Sequence, residues 1–301
     1  MSKPRFEQIA DGISVLRVPC GSVATNIFLV GDKDVGWALI DSAHCAQAVD
    51  GFLVPALADS GLSPDDLSFL LCTHTHGDHV GGHRRIRELA PGVRILAAKQ
   101  QTEKLFDPFR FAKAIRDAFP GYSPAPDPAL RGVSPDGEIS PGEVLLDRLE
   151  LIPTPGHDTD SVCFLDRKTQ TLLCGDSLQG AGTPAQGLAL YMDLDAYCET
   201  LARVSMLRCE NLAAGHAFLP YGDILSGEAA VNAFLDLSSE TVVQYDAFIR
   251  EQWQDGVSAP DIARGLLRET KSTVPPYLFL PLHTVTAHIR SLEQDAQEIT
   301  N

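Results

Sequence analysis

No stretch of this chain approaches the run of about 20 apolar residues that a membrane-crossing helix needs. Residues 1–10 carry Lys3, Arg5 and Glu7 where a secretory signal would hold its apolar core. The expected protein therefore has no membrane partner and sits in the cytoplasm. Positive charge is scarce as well. With 24 Lys and Arg against 40 Asp and Glu, the formal net charge is -16. Such a field repels nucleic acid phosphates and anionic membrane surfaces and leaves a small molecule as the expected partner. Paired cysteines are the third absence. Cys20, Cys45, Cys72, Cys163, Cys174, Cys198 and Cys209 are odd in number and lie singly, mostly within apolar segments, as reduced and packed thiols do.

What is present is a chain of 301 residues, 44% of them hydrophobic, enough for a large core in one big domain or one domain plus an appendage. Segments 13–18, 26–30 and 37–40, separated by Gly and Asp turn signals, read as a β-meander. A helix over 46–58, a buried strand over 69–72, a helix over 84–89 and a strand over 93–97 follow. This alternation implies a layered α/β core. Residues 101–118 read as a helix rich in phenylalanine (Phe106, Phe109, Phe111, with Phe119 just beyond), and a proline-studded stretch runs from 122 to 128. Together, 101–141 read as an insertion near the site. The core resumes at 144–152 and at the hairpin 161–173, then passes through a helix over 195–207 and an apolar segment over 211–214. From 227 the chain is helical, over 229–252, 259–269 and 281–296. The stiff apolar segment Tyr277-Leu278-Phe279-Leu280, flanked by Pro275, Pro276 and Pro281, is expected to be buried against the core or a second subunit.

The chemistry concentrates at residues 70–82, LLCTHTHGDHVGG, where an apolar run empties into a turn holding His74, His76, Asp78 and His79. Imidazole nitrogens and carboxylate oxygens suit divalent transition ions, and a tight loop can aim several at one point. If His74 and His76 point one way and Asp78 and His79 another, two ligand clusters result, which suggests two metals. Later apolar runs end in Gly156-His157, Gly175-Asp176 and Gly215-His216. A glycine there lets the backbone come close to an ion.

THTHGDHVGG, TPGH, CGDS and AGH, in this order over roughly residues 10 to 220, resemble the metallo-β-lactamase superfamily, in its binuclear hydrolase branch (glyoxalase II, lactonase and thioesterase-like) with a helical carboxyl-terminal module. The resemblance implies a four-layer αβ/βα sandwich, with 1–226 as the hydrolase domain and 227–301 as the helical module. It implies His74, His76 and His157 at a first metal, Asp78, His79 and His216 at a second, and Asp176 bridging them. Asp41 resembles the family's buried aspartate and is expected to hold a ligand imidazole by its second nitrogen. His76, Asp78 and His79 together depart from the redox-active diiron branch, and Asp176 stands where the penicillin-cleaving branch has cysteine. His44, His83, His283 and His288 match no motif and read as structural or solvated.

The resemblance further implies a hydroxide shared by two divalent ions as nucleophile, available near pH 7. Zinc is the default; iron, manganese and cobalt suit the same donors. Asp78 and Asp176 are the expected catalytic residues, with Asp78 open to two roles, metal ligand or proton donor to the leaving group. Tyr191 is a candidate donor to the oxyanion, and Phe106 and Phe109 are candidate walls for the acyl part. The favoured function is hydrolysis of a small acyl thioester, ester or lactone. A phosphodiesterase or endoribonuclease is the alternative, and a weakly active regulatory metal-binding protein the third. Residues 221–301 hold 12 acidic and 5 basic residues, a formal 5 - 12 = -7, which argues against holding a nucleic acid strand. The basic cluster Arg84, Arg85 and Arg87 is the one feature in favour of it. A homodimer is also compatible with the helical tail.

Overall fold

The computed structural model describes residues 3–300. Met1, Ser2 and Asn301, the ends of the expected segments 1–226 and 227–301, lie outside the described residues. The first sheet is laid down in chain order: β1 (Glu7–Ala10), β2 (Ile13–Cys20), β3 (Val23–Asp32), β4 (Gly36–Ile40), β5 (Leu67–Leu71), β6 (Arg94–Ala97) and β7 (Gly137–Glu138). Short turns make β1 to β4 antiparallel. From β4 onward the neighbours are parallel, which requires crossovers. These are supplied by α1 (Ala46–Ala48), a π-helical turn (Val49–Leu53) and α2 (Val54–Asp59), then by α3 (Gly77–Val80) and α4 (His83–Leu89), then by α5 (Thr102–Phe106) and α6 (Pro108–Asp117).

The second sheet contains β8 (Val144–Leu145), β9 (Leu149–Pro153), β10 (Val162–Asp166), β11 (Thr171–Gly175), β12 (Asn211–Phe218) and β13 (Gly222–Ser226), in the order β13-β12-β11-β10-β9-β8. Only the pair β11 and β12 is parallel among these, and its crossover is α7 (Leu194–Ser205). The chain ends in α8 (Glu228–Gln254), α9 (Ala259–Glu269) and α10 (Phe279–Thr300).

Period-2 alternation decides which side of each strand meets which layer. Val15, Phe28, Val30, Ile40, Leu151, Phe164 and Leu173 fill the space between the sheets. The opposite faces, with Leu16, Leu29, Leu39 and Leu70, pack against Val49, Leu53 and Ile86 of the first helical layer. Cys163, Leu172 and Leu212 pack against Leu201, Phe234, Leu266 and Leu282 of the second. The result is the expected four-layer αβ/βα sandwich, with the carboxyl-terminal helices sharing the outer core of the second sheet. No helix among the described residues is long and apolar enough to cross a membrane.

Local readings failed where backbone breaks interrupt a pattern. The helix expected over 101–118 is two helices, because Pro108 begins a new one and Asp107 caps it by accepting from Arg110 N at 3.1 Å. The strand expected over 144–152 folds back on itself at Leu146 and Asp147, whose φ angles are 53° and 55°. The segment expected to end at 214 continues through Phe218, so His216 lies inside a strand. β1, β7 and β13 carried too weak a pattern to be read.

One buried ion pair lies within the second sheet, and its arginine also reaches the first. Arg148 Nε and Nη2 donate to the two oxygens of Asp166 at 2.5 and 3.0 Å, and Nη2 also reaches Asp11 O at 2.7 Å. Removing one partner leaves the other charge buried and uncompensated. Arg148→Ala is expected to lower stability by about 3–5 kcal/mol in urea unfolding. A second expectation concerns pH. His83 is buried beside Ser42 Oγ at 2.7 Å, and burial pulls its imidazole down to about 3. The unfolded chain takes up this proton near pH 6.5, so its contribution is whole above that pH and declines as pH falls towards 3. Unfolding titrations should show wild type losing stability faster than His83→Gln in that window, by about 1.4 kcal/mol per pH unit.

Candidate metal centre

β5 ends at Leu71, and the extended residues that follow enter the space at one end of both sheets. His76 adopts φ -63° and ψ 147° just before α3, so its side chain leaves the turn while Asp78 and His79 leave the helix. Close packing fixes this turn. A Cβ on Gly81 would sit 2.0 Å from His44 O, and one on Gly82 2.1 Å from Ser42 O. The second sheet contributes from the facing side: His157 follows β9, Asp176 follows β11, and His216 lies within β12.

All seven sequence-predicted ligand residues meet here. Donor atoms of His74, His76 and His157 form one cluster, those of Asp78, His79 and His216 another, and Asp176 groups with His74 and His79. His157 Nε2 is 3.2 Å from His76 Nδ1. His216 Nε2 is 3.2 Å from Asp78 Oδ2 and 3.4 Å from His79 Nε2. Asp176 faces both groups, with Oδ1 3.6 Å from His79 Nε2 and Oδ2 3.8 Å from His157 Nε2. Here the glycine before His216 serves the carboxylate: a Cβ on Gly215 would lie 2.4 Å from Asp176 Oδ1.

The remote nitrogens are tied down. His79 Nδ1 meets Asp41 Oδ2 at 2.8 Å, His157 Nδ1 meets Leu190 O at 2.8 Å, and His216 Nδ1 meets Ala24 O at 2.7 Å. A carbonyl can only accept, so it fixes the proton on Nδ1 and turns the Nε2 lone pair inward. His76 Nε2 lies 3.3 Å from Asp158 Oδ2, and Lys104 pairs with the other oxygen of that carboxylate. Sequence reading missed Asp158 and Lys104, although the aspartate directly after His157 was a visible signal. The backbone acceptors Ala24 and Leu190 leave no signal in residue type.

Electrostatics separate the two clusters. Burial works against a proton on His79, yet Asp78, Asp41 and Asp176 outweigh it and lift the imidazole to about 10. His216 is likewise opposed by burial and raised by Asp176 and Asp78 to about 9. Burial, with His76 nearby, lowers His157 to about 4, and burial with the surrounding histidines holds His74 well below its ordinary value. The donor set fits divalent ions. Nε2 of His74 and Oδ1 of Asp176 are buried without a hydrogen-bond partner. Neighbouring donors also stand near the roughly 3.4 Å expected of atoms held at about 2.0–2.1 Å around a tetrahedral ion.

Above the cluster opens a cavity of about 390 Å³ with His76, Asp78, His157, Asp176 and His216 at its floor. Its apolar wall includes Phe111, Ile115, Leu130, Leu190, Phe279 and Leu280. This corrects two sequence expectations. Phe106 is 62% exposed and, with Phe109, lines a separate hollow near Arg84, because the break at Pro108 turns Phe111 and Ile115 towards the site instead. Tyr191 is fully buried, stacked on Tyr197 and bonded to His288 Nε2 at 2.8 Å, so its hydroxyl does not line the cavity. His44, read as structural or solvated, lines it. Of the apolar tail segment, Phe279 is buried while Tyr277 is 47% exposed. The basic cluster after the motif is neutralised: Arg84 and Arg85 pair with Glu88, Arg85 also with Asp50, and Arg87 with Asp136.

A four-layer sandwich with a histidine and aspartate cluster at the end shared by its sheets defines an α/β protein able to bind metal. The chain belongs to the metallo-beta-lactamase superfamily, whose model matches residues 20–220. Among curated relatives it is 29% identical over 192 residues to an atrochrysone carboxyl ACP thioesterase of Aspergillus fumigatus, covering 64% of this chain and 50% of that one. It is 26% identical over 221 residues to the thioesterase pkgB of Emericella nidulans, covering 71% and 54%. The chain thus spans about half the length of these relatives. A solved metallo-beta-lactamase family protein of Thermus thermophilus superimposes with a TM-score of 0.74 at 22% identity, covering 96% of this chain and 95% of that one, a likeness of fold.

Asp41→Asn replaces the acceptor that holds His79 with an amide whose nitrogen is a donor. The expected result is a fall in metal affinity of about 10- to 100-fold, read by competition with a chromophoric chelator, with the fold retained by circular dichroism.

Proposed function

We propose that the chain is a metal-dependent hydrolase of small acyl compounds, a thioester, ester or lactone. The observation that carries this reading is the pairing of a metal-type donor cluster with an apolar cavity of about 390 Å³ directly above it. The proposed ligands are His74, His76 and His157 for one ion, Asp78, His79 and His216 for a second, and Asp176 for both. Zinc is the first choice by donor type. When bound, such ions supply the Lewis acidity that makes water nucleophilic near neutral pH and stabilises charge developing on the substrate oxygen.

The chain's own residues do the rest. Asp41, Leu190 O and Ala24 O hold three imidazoles in one tautomer and one orientation. Asp78, one third exposed at the cavity floor, is the carboxylate best placed to take a proton from the attacking water or return one to the leaving group. Phe111, Ile115 and Phe279 displace water from the acyl part and fix how deep it sits. We further treat 1–226 as the hydrolase domain and 227–301 as a helical module that closes the cavity, a division supported by Phe279 and Leu280 on its wall. The seven free cysteines support the reducing cytoplasm as its compartment. The thioesterase names of the fungal relatives support the acyl class. Pairing of Arg84, Arg85 and Arg87 with carboxylates removes the feature that favoured nucleic acid.

Elemental analysis of metal-replete protein is expected to give close to two ions per chain, and chelation to abolish turnover of acyl thioesters or lactones until metal is restored. Asp176→Ala should reduce kcat/KM at least 1000-fold, while Phe111→Ala with Ile115→Ala shifts acyl chain-length preference. Ion content that stays near zero after reconstitution would overturn the proposal, as would phosphodiester cleavage in place of acyl hydrolysis.

A further inference from the structure

One side chain on the cavity wall has no role in the reading above. Arg116, near the end of α6, is the only lysine or arginine lining the cavity among the described residues. It is half-buried. Its guanidinium lies over the ring of Phe279 with 5.6 Å between Cζ and the ring centroid, and Nη1 donates to Ala112 O at 2.9 Å. The group is thereby held from two sides, by a helix of the insertion and by the first residue of α10. Its Nε is buried and has no hydrogen-bond partner.

No carboxylate pairs with it among the described residues, although it is half-buried on the cavity wall. Acids outnumber bases 40 to 24, and Arg17, Arg85, Arg87, Arg110, Arg148 and Arg167 all have an acidic partner. The acids at the cavity floor are committed elsewhere: Asp78 and Asp176 to the imidazoles, and Asp158 to His76 and Lys104. Burial lowers the guanidinium below its ordinary value, against the pull of Asp78. A cation partly removed from water, with an unsatisfied donor, costs free energy that an anionic ligand would offset. A guanidinium matches carboxylate and phosphate oxygens with its planar fork, and one held by stacking loses little freedom on binding. On its own helix Arg116 is flanked on the cavity wall by the apolar Phe111, Ala112 and Ile115, with Phe279 and Leu280 beside it, while Asp127, Thr183 and Gln186 also line the cavity.

We propose that Arg116 is an anion subsite of the cavity, and that the substrate carries an anionic oxygen group, a carboxylate or phosphate, separated from its scissile acyl bond by an apolar segment. This rests on the acyl hydrolase reading and adds a specificity residue to it. Two sources share the chemistry: a carboxylate at the far end of the acyl chain, or a phosphate on the thiol portion.

Four thioesters distinguish them. S-octanoyl-N-acetylcysteamine and its counterpart ending in a second carboxylate, S-(7-carboxyheptanoyl)-N-acetylcysteamine, vary the acyl end. S-octanoyl pantetheine and its 4′-phosphate vary the thiol end. One anionic member is expected to exceed its neutral partner at least tenfold in kcat/KM with the metal-loaded wild type. Arg116→Gln should erase at least tenfold of that preference, chiefly through KM, and Arg116→Lys should restore part of it. Thermal melts of both variants check the fold. Equal losses on charged and neutral substrates, or no charge preference in wild type, would overturn the subsite while leaving acyl hydrolysis standing. Should none of the four be turned over, calorimetry with octanedioate, octanoate, pantetheine 4′-phosphate and pantetheine still decides. An Arg116-dependent advantage of at least tenfold for either charged probe supports the subsite, and equal affinities in wild type and Arg116→Gln reject it. Absence of turnover counts separately against the acyl reading.

Discussion

The carboxylate of Asp41 accepts three hydrogen bonds in a fully buried place, and the arrangement of the centre depends on them. Oδ1 takes Thr73 N at 2.8 Å, while Oδ2 takes Thr73 Oγ1 at 2.9 Å and His79 Nδ1 at 2.8 Å. One side chain at the end of β4 thus fixes the segment leaving β5 and the short helix that follows. The position carries backbone strain, since Asp41 has φ 65° and Ala43 φ 70°. Asp41 N to Leu71 O and Ser42 N to His79 O, at 2.9 and 2.7 Å, hold that strain in place. A buried carboxylate is stable only with such a complement of donors.

Around that anchor, the donors arrive from the segments that follow β5, β9 and β11, from the short helix α3 and from within β12. The sheets cannot slide without disturbing the donors, because the inter-sheet layer is close-packed and Arg148 of the second sheet donates to Asp11 O of the first. Carboxylates crowd the floor, and their field draws protons onto His79 and His216. The same field attracts divalent cations to a donor cluster able to bind them.

The walls have a different origin. Much of them comes from α6 and from the start of α10, two segments far apart in the chain, with Leu190 added from the connection after β11. His283 Nε2 to Ile115 O at 3.0 Å and Arg116 over Phe279 join them. The donors at the floor thus come from the sandwich, whereas the aromatic part of the wall, Phe111 and Phe279, comes from these two helices.

The sequence by itself determined the floor and the layers. His74, His76, Asp78 and His79 fall within six consecutive positions, and local spacing alone forces them into one neighbourhood. The long apolar strands were legible for the same reason: period 2 is a local property of the chain. Tertiary structure alone decided which aromatic faces the site. Asp107 and Pro108 restart the helix, so Phe106 and Phe109 turn away while Phe111 and Ile115, four residues apart on one helical face, turn in. It also decided that the Tyr191 hydroxyl bonds to His288, 97 residues away, and that the acceptors for His157 and His216 are backbone carbonyls. Every residue has a carbonyl, so composition cannot mark the ones that matter; only the packing of one sheet on the other brings Ala24 within 2.7 Å of a histidine 192 positions later in the chain.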